Sequence, residues 1–194
     1  TFDGDTLYYF DAGYIRKLTP DGQVQTVAGG GTNTRWISAG EVVPALSANL
    51  SGTNALAVAP GGAIYGTHSN DLVYRLRPDG QIERVAGDTN TRYGGDGGAA
   101  LAASFKGPTG IGADKQGNLY VADRNNNVIR KLTPLTPASI VKVGGDEQTA
   151  VAGKPFELPL EVDVLSDGGI PVSMVPLEVR VLEGSATLVK GTSA

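Results

Sequence analysis

Along the first two thirds of the chain, hydrophobic and polar positions alternate in short runs rich in β-branched and aromatic residues. Ile15-Arg16-Lys17-Leu18, Val73-Tyr74-Arg75-Leu76 and Val128-Ile129-Arg130-Lys131-Leu132 each read as a strand of period two. The pairs Asp21-Gly22 and Asp79-Gly80 and the triplet Gln116-Gly117-Asn118 supply the positive φ that tight hairpins need. Tyr8, Tyr65 and Tyr120 are spaced by 57 and 55 residues, and Pro20, Pro78 and Pro134 by 58 and 56. Several markers sharing one period identify a unit present three times. Each unit predicts a four-stranded antiparallel meander.

Such a meander cannot bury both faces alone, so copies must stack side by side, and radial stacking of four-stranded sheets makes a β-propeller. The first unit starts partway through and is expected to lack its opening strand. A closed wheel has about four to eight blades, so residues 1–137 are expected to form an incomplete propeller. Its missing wedges would come from upstream sequence of a longer protein or from further copies of the chain, because an open stack leaves a blade face and sheet edges uncovered.

The pattern changes after Pro134-Leu135-Thr136-Pro137. Phe156, Leu158, Leu160, Val162 and Val164 alternate with Glu157, Pro159, Glu161 and Asp163, as in a half-buried strand. Leu177, Val179 and Val181 repeat that alternation beyond the turn Ser166-Asp167-Gly168-Gly169. Ile140-Val141-Lys142-Val143 either opens this second module or adds an outer strand to the third blade. Residues 138–194 therefore form a second all-β domain, a partial sandwich, since a full one takes about seven strands and ~100 residues.

Charge supports the division. Residues 1–138 hold 12 Lys/Arg and 12 Asp/Glu, whereas 139–194 hold 4 and 8, so the net charge of −4 belongs to the second part. No basic footprint exists of the kind nucleic-acid binding needs. With 28 Gly, 11 Pro and no Cys, helical bundles are disfavoured and disulfides are impossible. No apolar run approaches the ~18 residues of a membrane span, so these residues are not expected to insert in a bilayer. The opening Thr1-Phe2-Asp3-Gly4-Asp5 has neither the basic nor the apolar region of a secretion signal.

Comparison of the copies points to particular side chains. Asp11, His68 and Asp123 are equivalent after the second strand, and Arg16, Tyr74 and Arg130 on the third. Asp and Arg occur together in copies one and three and are both absent from copy two, which predicts ion pairs Asp11–Arg16 and Asp123–Arg130, each aligned by two hydrogen bonds. The junctions carry Thr32-Asn33-Thr34-Arg35-Trp36 and Thr89-Asn90-Thr91-Arg92-Tyr93, offset by 57. Arg35, Trp36, Arg92 and Tyr93 are candidate contacts for a protein or glycan, since Arg and large aromatics are favoured at binding hot spots. Alternatively each ring tucks over the blade and each Arg braces its loop. His68 is the only histidine, and beside Ser69 it has no recognisable orienting carboxylate for a triad. Asp88 with Asp96, and Asp3 with Asp5, could offer oxygens to calcium, but such a site needs 6–8 of them converging, and Asp-Gly turns form without ions. No metal, cofactor or catalytic residue is predicted.

Gly107-Pro108-Thr109-Gly110-Ile111, Gly117-Asn118-Leu119-Tyr120-Val121-Ala122-Asp123 and Val128-Ile129-Arg130-Lys131-Leu132 resemble the NHL repeat. Val85-Ala86-Gly87 with Gly94-Gly95-Asp96-Gly97-Gly98-Ala99 is similar to its bacterial form, including the form beside YD-repeat shells in teneurin-like and Rhs proteins. The resemblance covers residues 3–134 and implies a propeller used as a binding platform or, less often, as a lyase or hydrolase. The multi-histidine metal site of the family's amidating lyases cannot be assembled from one histidine. Val151-Ala152-Gly153-Lys154-Pro155, Leu160-Glu161-Val162-Asp163-Val164 and Asp167-Gly168-Gly169-Ile170-Pro171-Val172 resemble bacterial immunoglobulin-like repeats of the invasin and intimin type. Together the resemblances imply a non-catalytic secreted or bacterial cell-surface protein for adhesion, with the propeller binding a protein or glycan and the immunoglobulin-like module as spacer. The alternative they leave is a structural segment of a YD-repeat toxin, or of a propeller lyase with its catalytic residues elsewhere.

Overall fold

In each of the first two repeats the third and fourth strands are joined through a turn whose glycine, Gly22 or Gly80, takes φ +80. The Gly22 amide donates to the Thr19 carbonyl at 2.9 Å and the Gly80 amide to the Arg77 carbonyl at 3.0 Å, closing both turns alike. The computed structural model describes residues 1–32, 36–135, 137–145, 154, 157 and 161–166. The chain divides into two compact units, Thr1–Thr133 and Pro134–Ala194.

Three antiparallel sheets make the first unit. Strands β1 (Phe2–Asp3), β2 (Thr6–Asp11), β3 (Tyr14–Leu18) and β4 (Val24–Gly29) form the first in sequence order. The second contains β5 (Val42–Pro44), β6 (Thr53–Val58), β7 (Ile64–His68), β8 (Leu72–Leu76) and β9 (Gln81–Ala86), ordered β5-β9-β8-β7-β6. The third holds β10 (Pro108–Ala113), β11 (Leu119–Asp123) and β12 (Val128–Leu132). The opening strands neighbour one another: β10 packs on β6 and β7, and β1 and β2 pack on β6. The sheets are blades of an incomplete β-propeller, and the described residues contain no α-helix. No helix among them is long and apolar enough to cross a membrane.

Two apolar layers separate the three blades. Ile15 and Ala28 of the first blade meet Leu72, Tyr74, Leu76 and Ile82 of the second, with Leu50 between. Val73 and Ala86 of the second meet Phe105 and Val121 of the third. Successive residues of β8 thus point into opposite layers, as the alternation of a strand requires, and the middle blade is buried on both faces.

The four-strand expectation needs three amendments. The first blade does have an opening strand, shortened to Phe2–Asp3 and joined to β2 across Gly4, at φ +55, and Asp5. The second gains a fifth strand, β5; Val42-Val43-Pro44 pairs with Gln81-Ile82-Glu83 and covers the outer edge of β9. The third shows three strands among the described residues.

In the second unit β13 (Pro137–Gly144) pairs antiparallel with β14 (Glu161–Ser166). Ile140 to Val143 thus ladder with the second unit. The division falls after Thr133, four residues ahead of the boundary expected at 137. The sandwich expectation rests mostly on 146–153, 155–156, 158–160 and 167–194, which lie outside the described residues, as does the strand expected around Val179.

Candidate functional site

Each junction between blades sends a ring onto the face of the blade that follows. In the first, the chain leaves β4, passes Trp36, adds β5 to the next sheet, makes a 3₁₀ turn at Ala45–Ser47 and buries Leu50. The half-buried Trp36 stacks on His68 with centroids 4.0 Å apart at 28°, and is tilted against Tyr74 at 5.8 Å. His68 is buried and both its ring nitrogens are engaged: Nε2–H donates to the Ser51 carbonyl at 2.7 Å, and Nδ1 accepts from the Asn70 amide at 3.1 Å. That geometry selects the neutral imidazole. Burial lowers its pKa, against the Ser51 carbonyl, which pulls it up. Tyr74 is fully buried, its hydroxyl 3.0 Å from Thr53 Oγ1, and burial raises the phenol well above its ordinary value. The ring has room because Gly66 lies directly across the ladder; a Cβ there would stand 2.2 Å from Tyr74 Cζ.

A cleft of about 230 Å³ opens beside this cluster, lined by Trp36, Ile37, Glu41, Val43, Pro44, Ser47, Ala48 and Asn49. The Trp36 indole N–H is buried and has no acceptor among the described residues. Arg35, expected beside it, lies outside the described residues.

The second junction places Tyr93 at the position of Trp36, and what it covers is charged. Arg130, 7% exposed, lies between two rings, its Cζ 5.2 Å from the centroids of Tyr93 and Phe105. Its Nη2 donates to Asp96 Oδ1 at 2.6 Å and to the Gly94 carbonyl at 2.9 Å, while Nη1 donates to the Ser104 carbonyl at 3.1 Å. The fully buried Asp123 has Oδ2 3.5 Å from Arg130 Nη1, takes the Lys106 amide on Oδ1 at 2.7 Å, and takes Asn126 Nδ2 at 2.8 Å. The Tyr93 hydroxyl donates to Asp96. That bond, ahead of the Arg130 charge, holds the Asp96 carboxyl below its usual range. Asp88 ties the loop by accepting from the Asn90 amide and side chain and from Ser104 Oγ, and its carboxyl is lowered although burial opposes this. Arg92 is exposed beside it.

On the first blade Arg16 Nε donates to Asp11 Oδ2 at 2.7 Å, Nη1 to Thr26 Oγ1 at 2.6 Å, and the guanidinium sits 4.9 Å from its own Tyr14 ring. The paired double hydrogen bonds expected for both Asp–Arg couples are absent: Arg16 and Arg130 each divide their donors among several acceptors. His68, Gly66 and Phe105 were not recognised as parts of the junctions. Gly66 carried a signal, since it faces Tyr74 where the other copies place Tyr9 and Val121 opposite Arg16 and Arg130. Among the described residues no three His, Cys, Asp or Glu converge on a possible metal.

Residues 105–132 match the NHL repeat family. No curated protein matches the chain. Among solved structures, a Bacteroides thetaiotaomicron protein of unknown function is 24% identical with a TM-score of 0.53, the match covering 65% of this chain and 32% of that one. An auxiliary nutrient binding protein of the same species is 21% identical, with a TM-score of 0.51 over 66% of this chain and 34% of that one. An auxiliary nutrient binding protein from Bacteroides ovatus is 25% identical, TM-score 0.50, again over 66% and 34%. The chain thus spans about a third of the length of these three proteins.

Proposed function

We propose that the chain is a non-catalytic binding scaffold, secreted or held at a bacterial cell surface, whose propeller junctions contact a glycan or protein. The second unit serves as an immunoglobulin-like spacer in an adhesive protein. The cleft beside Trp36 carries this reading. It joins an aromatic wall and apolar side chains to the polar groups of Glu41, Ser47 and Asn49, the usual make-up of a recognition site. At about 230 Å³ it is smaller than the ~300–1,000 Å³ of sites that enclose a whole small molecule. It suits one unit of a larger ligand, a single sugar ring or one side chain, with the exposed Arg92 and Tyr93 adding contacts at the neighbouring junction. Two further observations support the reading: the similarity to the Bacteroides ovatus auxiliary nutrient binding protein, and the engagement of both nitrogens of the only histidine in structural hydrogen bonds.

Trp36 is the only tryptophan, so its emission reports this cleft without labelling. Titrating defined oligosaccharides and peptides into the full chain is expected to give a saturable change in Trp36 emission with at least one of them. A ligand that binds with its contacts mapped by NMR away from residues 36–49 and 92–93 overturns the assignment.

A further inference from the structure

We infer that the face of the first blade carrying Asp11 and Arg16 is a socket for the junction loop of another propeller blade, one that delivers an aromatic ring and a carboxylate as Tyr93 and Asp96 do. This goes beyond the proposed ligand cleft and does not depend on it. Strand register makes Arg16, Tyr74 and Arg130 equivalent, each directly across from Tyr9, Gly66 or Val121. The last two of those three positions are sealed by a loop arriving from the preceding blade, leaving Tyr74 0% and Arg130 7% exposed. Arg16 remains 29% exposed and its partner Asp11 49%. Around Arg130 the arriving loop provides the Tyr93 ring, the Asp96 carboxylate and the Gly94 and Ser104 carbonyls. Arg16 has its own Tyr14 and Thr26 instead, a partial cap from within its blade.

Loop and socket chemistry vary together in the two junctions the chain contains. The second loop brings Asp96 to a socket of Asp123 and Arg130. At the same offset the first loop has Ala39, and its socket of His68 and Tyr74 has no guanidinium to neutralise. An Asp11–Arg16 socket therefore calls for the loop with a carboxylate. At the offset of 56 that relates Arg130 to Tyr74, the places of Tyr93 and Asp96 in the third repeat are held by Thr149 and Ala152, so a second copy stacked by its third blade would not supply that ring and carboxylate.

The test places a duplicate of residues 53–118 ahead of Leu7 in the otherwise complete chain, keeping the repeat register because Leu7 and Leu119 are equivalent. Arg16→Ala is expected to lower the thermal midpoint of this chimera by about 5 °C or more, and that of the original chain by about 2 °C or less. Asp96→Ala in the added copy is expected to matter only while Arg16 is present. Equal shifts in chimera and original chain, or additive effects of the two substitutions, overturn the inference. Should the chimera fail to fold, NMR of the Arg16 Nε–H in the original chain decides, with a synthetic peptide of residues 85–106 as probe. A saturable shift that disappears for the peptide carrying Tyr93→Ala and Asp96→Ala supports the socket; no shift, or the same shift with both peptides, overturns it. Light scattering that finds a dimer dissociated by Arg16→Glu assigns the face to a second copy and also overturns it.

Discussion

Between the first and second blades the arriving ring is Trp36, lying on a neutral histidine and a tyrosine; between the second and third it is Tyr93, lying on a buried arginine. The repeat fixes where the contact occurs, and the facing residues fix what it is made of. An aromatic junction needs volume, which Gly66 provides by carrying no side chain opposite Tyr74. An ionic junction needs compensation for desolvated charge, and Arg130 receives it from two carboxylates, two carbonyls and two rings. The first can therefore be broken by adding atoms, and the second by removing charge.

The largest effect is expected from Arg130→Ala. It leaves Asp123 fully buried with its amide and Asn126 contacts but no cation, and loss of one partner of a buried pair costs about 3–5 kcal/mol. Because each repeat touches only its neighbours, the loss should concentrate at the second junction. Amide exchange is expected to accelerate strongly in β10–β12 and little in β2–β4, with Trp36 emission unchanged in native buffer. Uniform acceleration would mean that the blades unfold as one unit.

Next comes Gly66→Ala. The added methyl meets Tyr74 Cζ at 2.2 Å in a fully packed layer, and overpacking costs about 1–3 kcal/mol. Combined with Tyr74→Ala, the same substitution should cost much less than alone, because the ring it strikes is gone. Urea denaturation of the two single variants and the double variant measures that coupling. Additive losses would show that the Gly66 position is sensitive for a reason other than Tyr74.

Much of this architecture can be read along the chain. The 57- and 55-residue spacings define the blades, and alternation within Leu72–Leu76 already implies a strand with two differently packed faces. Setting the copies side by side also marks the Asp11, His68 and Asp123 positions and those of Arg16, Tyr74 and Arg130. Contacts that join one repeat to the next are not legible, because period and alternation describe a blade by itself. Trp36 on His68 spans 32 residues, and Arg130 to the Gly94 carbonyl spans 36. β5 was hidden for a related reason: a three-residue strand is too short to show a period, although Val42-Val43 is β-branched. In the second unit the alternation around Val162 and Val164 is as plain as in the blades, and β14 occupies it.

His68 separates the junctions by pH. Burial holds its folded pKa below the ordinary 6.5, so the unfolded chain takes up the proton first. The stabilisation from a neutral imidazole is complete above that value and is lost as pH falls through it towards the folded one. Protonation would also turn Nδ1 into a donor facing the Asn70 amide. Since the chain has no other histidine, urea midpoints measured between pH 7.5 and 5.5 should fall with acidification in the parent and stay flatter in His68→Gln. The second junction, where the Asp96 and Asp88 carboxyls are held below their usual range, should lose no amide protection across this window.

The smallest effect is expected from Arg16→Ala. Its hydrogen bond to Asp11 is as short, at 2.7 Å, as many buried ones, but side chains 29% and 49% exposed keep water and salt close to both charges. Exposed pairs of this kind contribute about 0–1 kcal/mol. The remaining cap, Thr26 Oγ1 and the Tyr14 ring, lies within the same blade and so adds nothing between blades. Raising NaCl towards 1 M, where the Debye length shrinks to about 3 Å, should bring the parent's urea midpoint closer to that of Arg16→Ala, while Arg130→Ala stays far below both. If Arg16→Ala costs as much as Arg130→Ala, the guanidinium stabilises its blade without a loop laid over it, and the contrast between open and covered arginines fails.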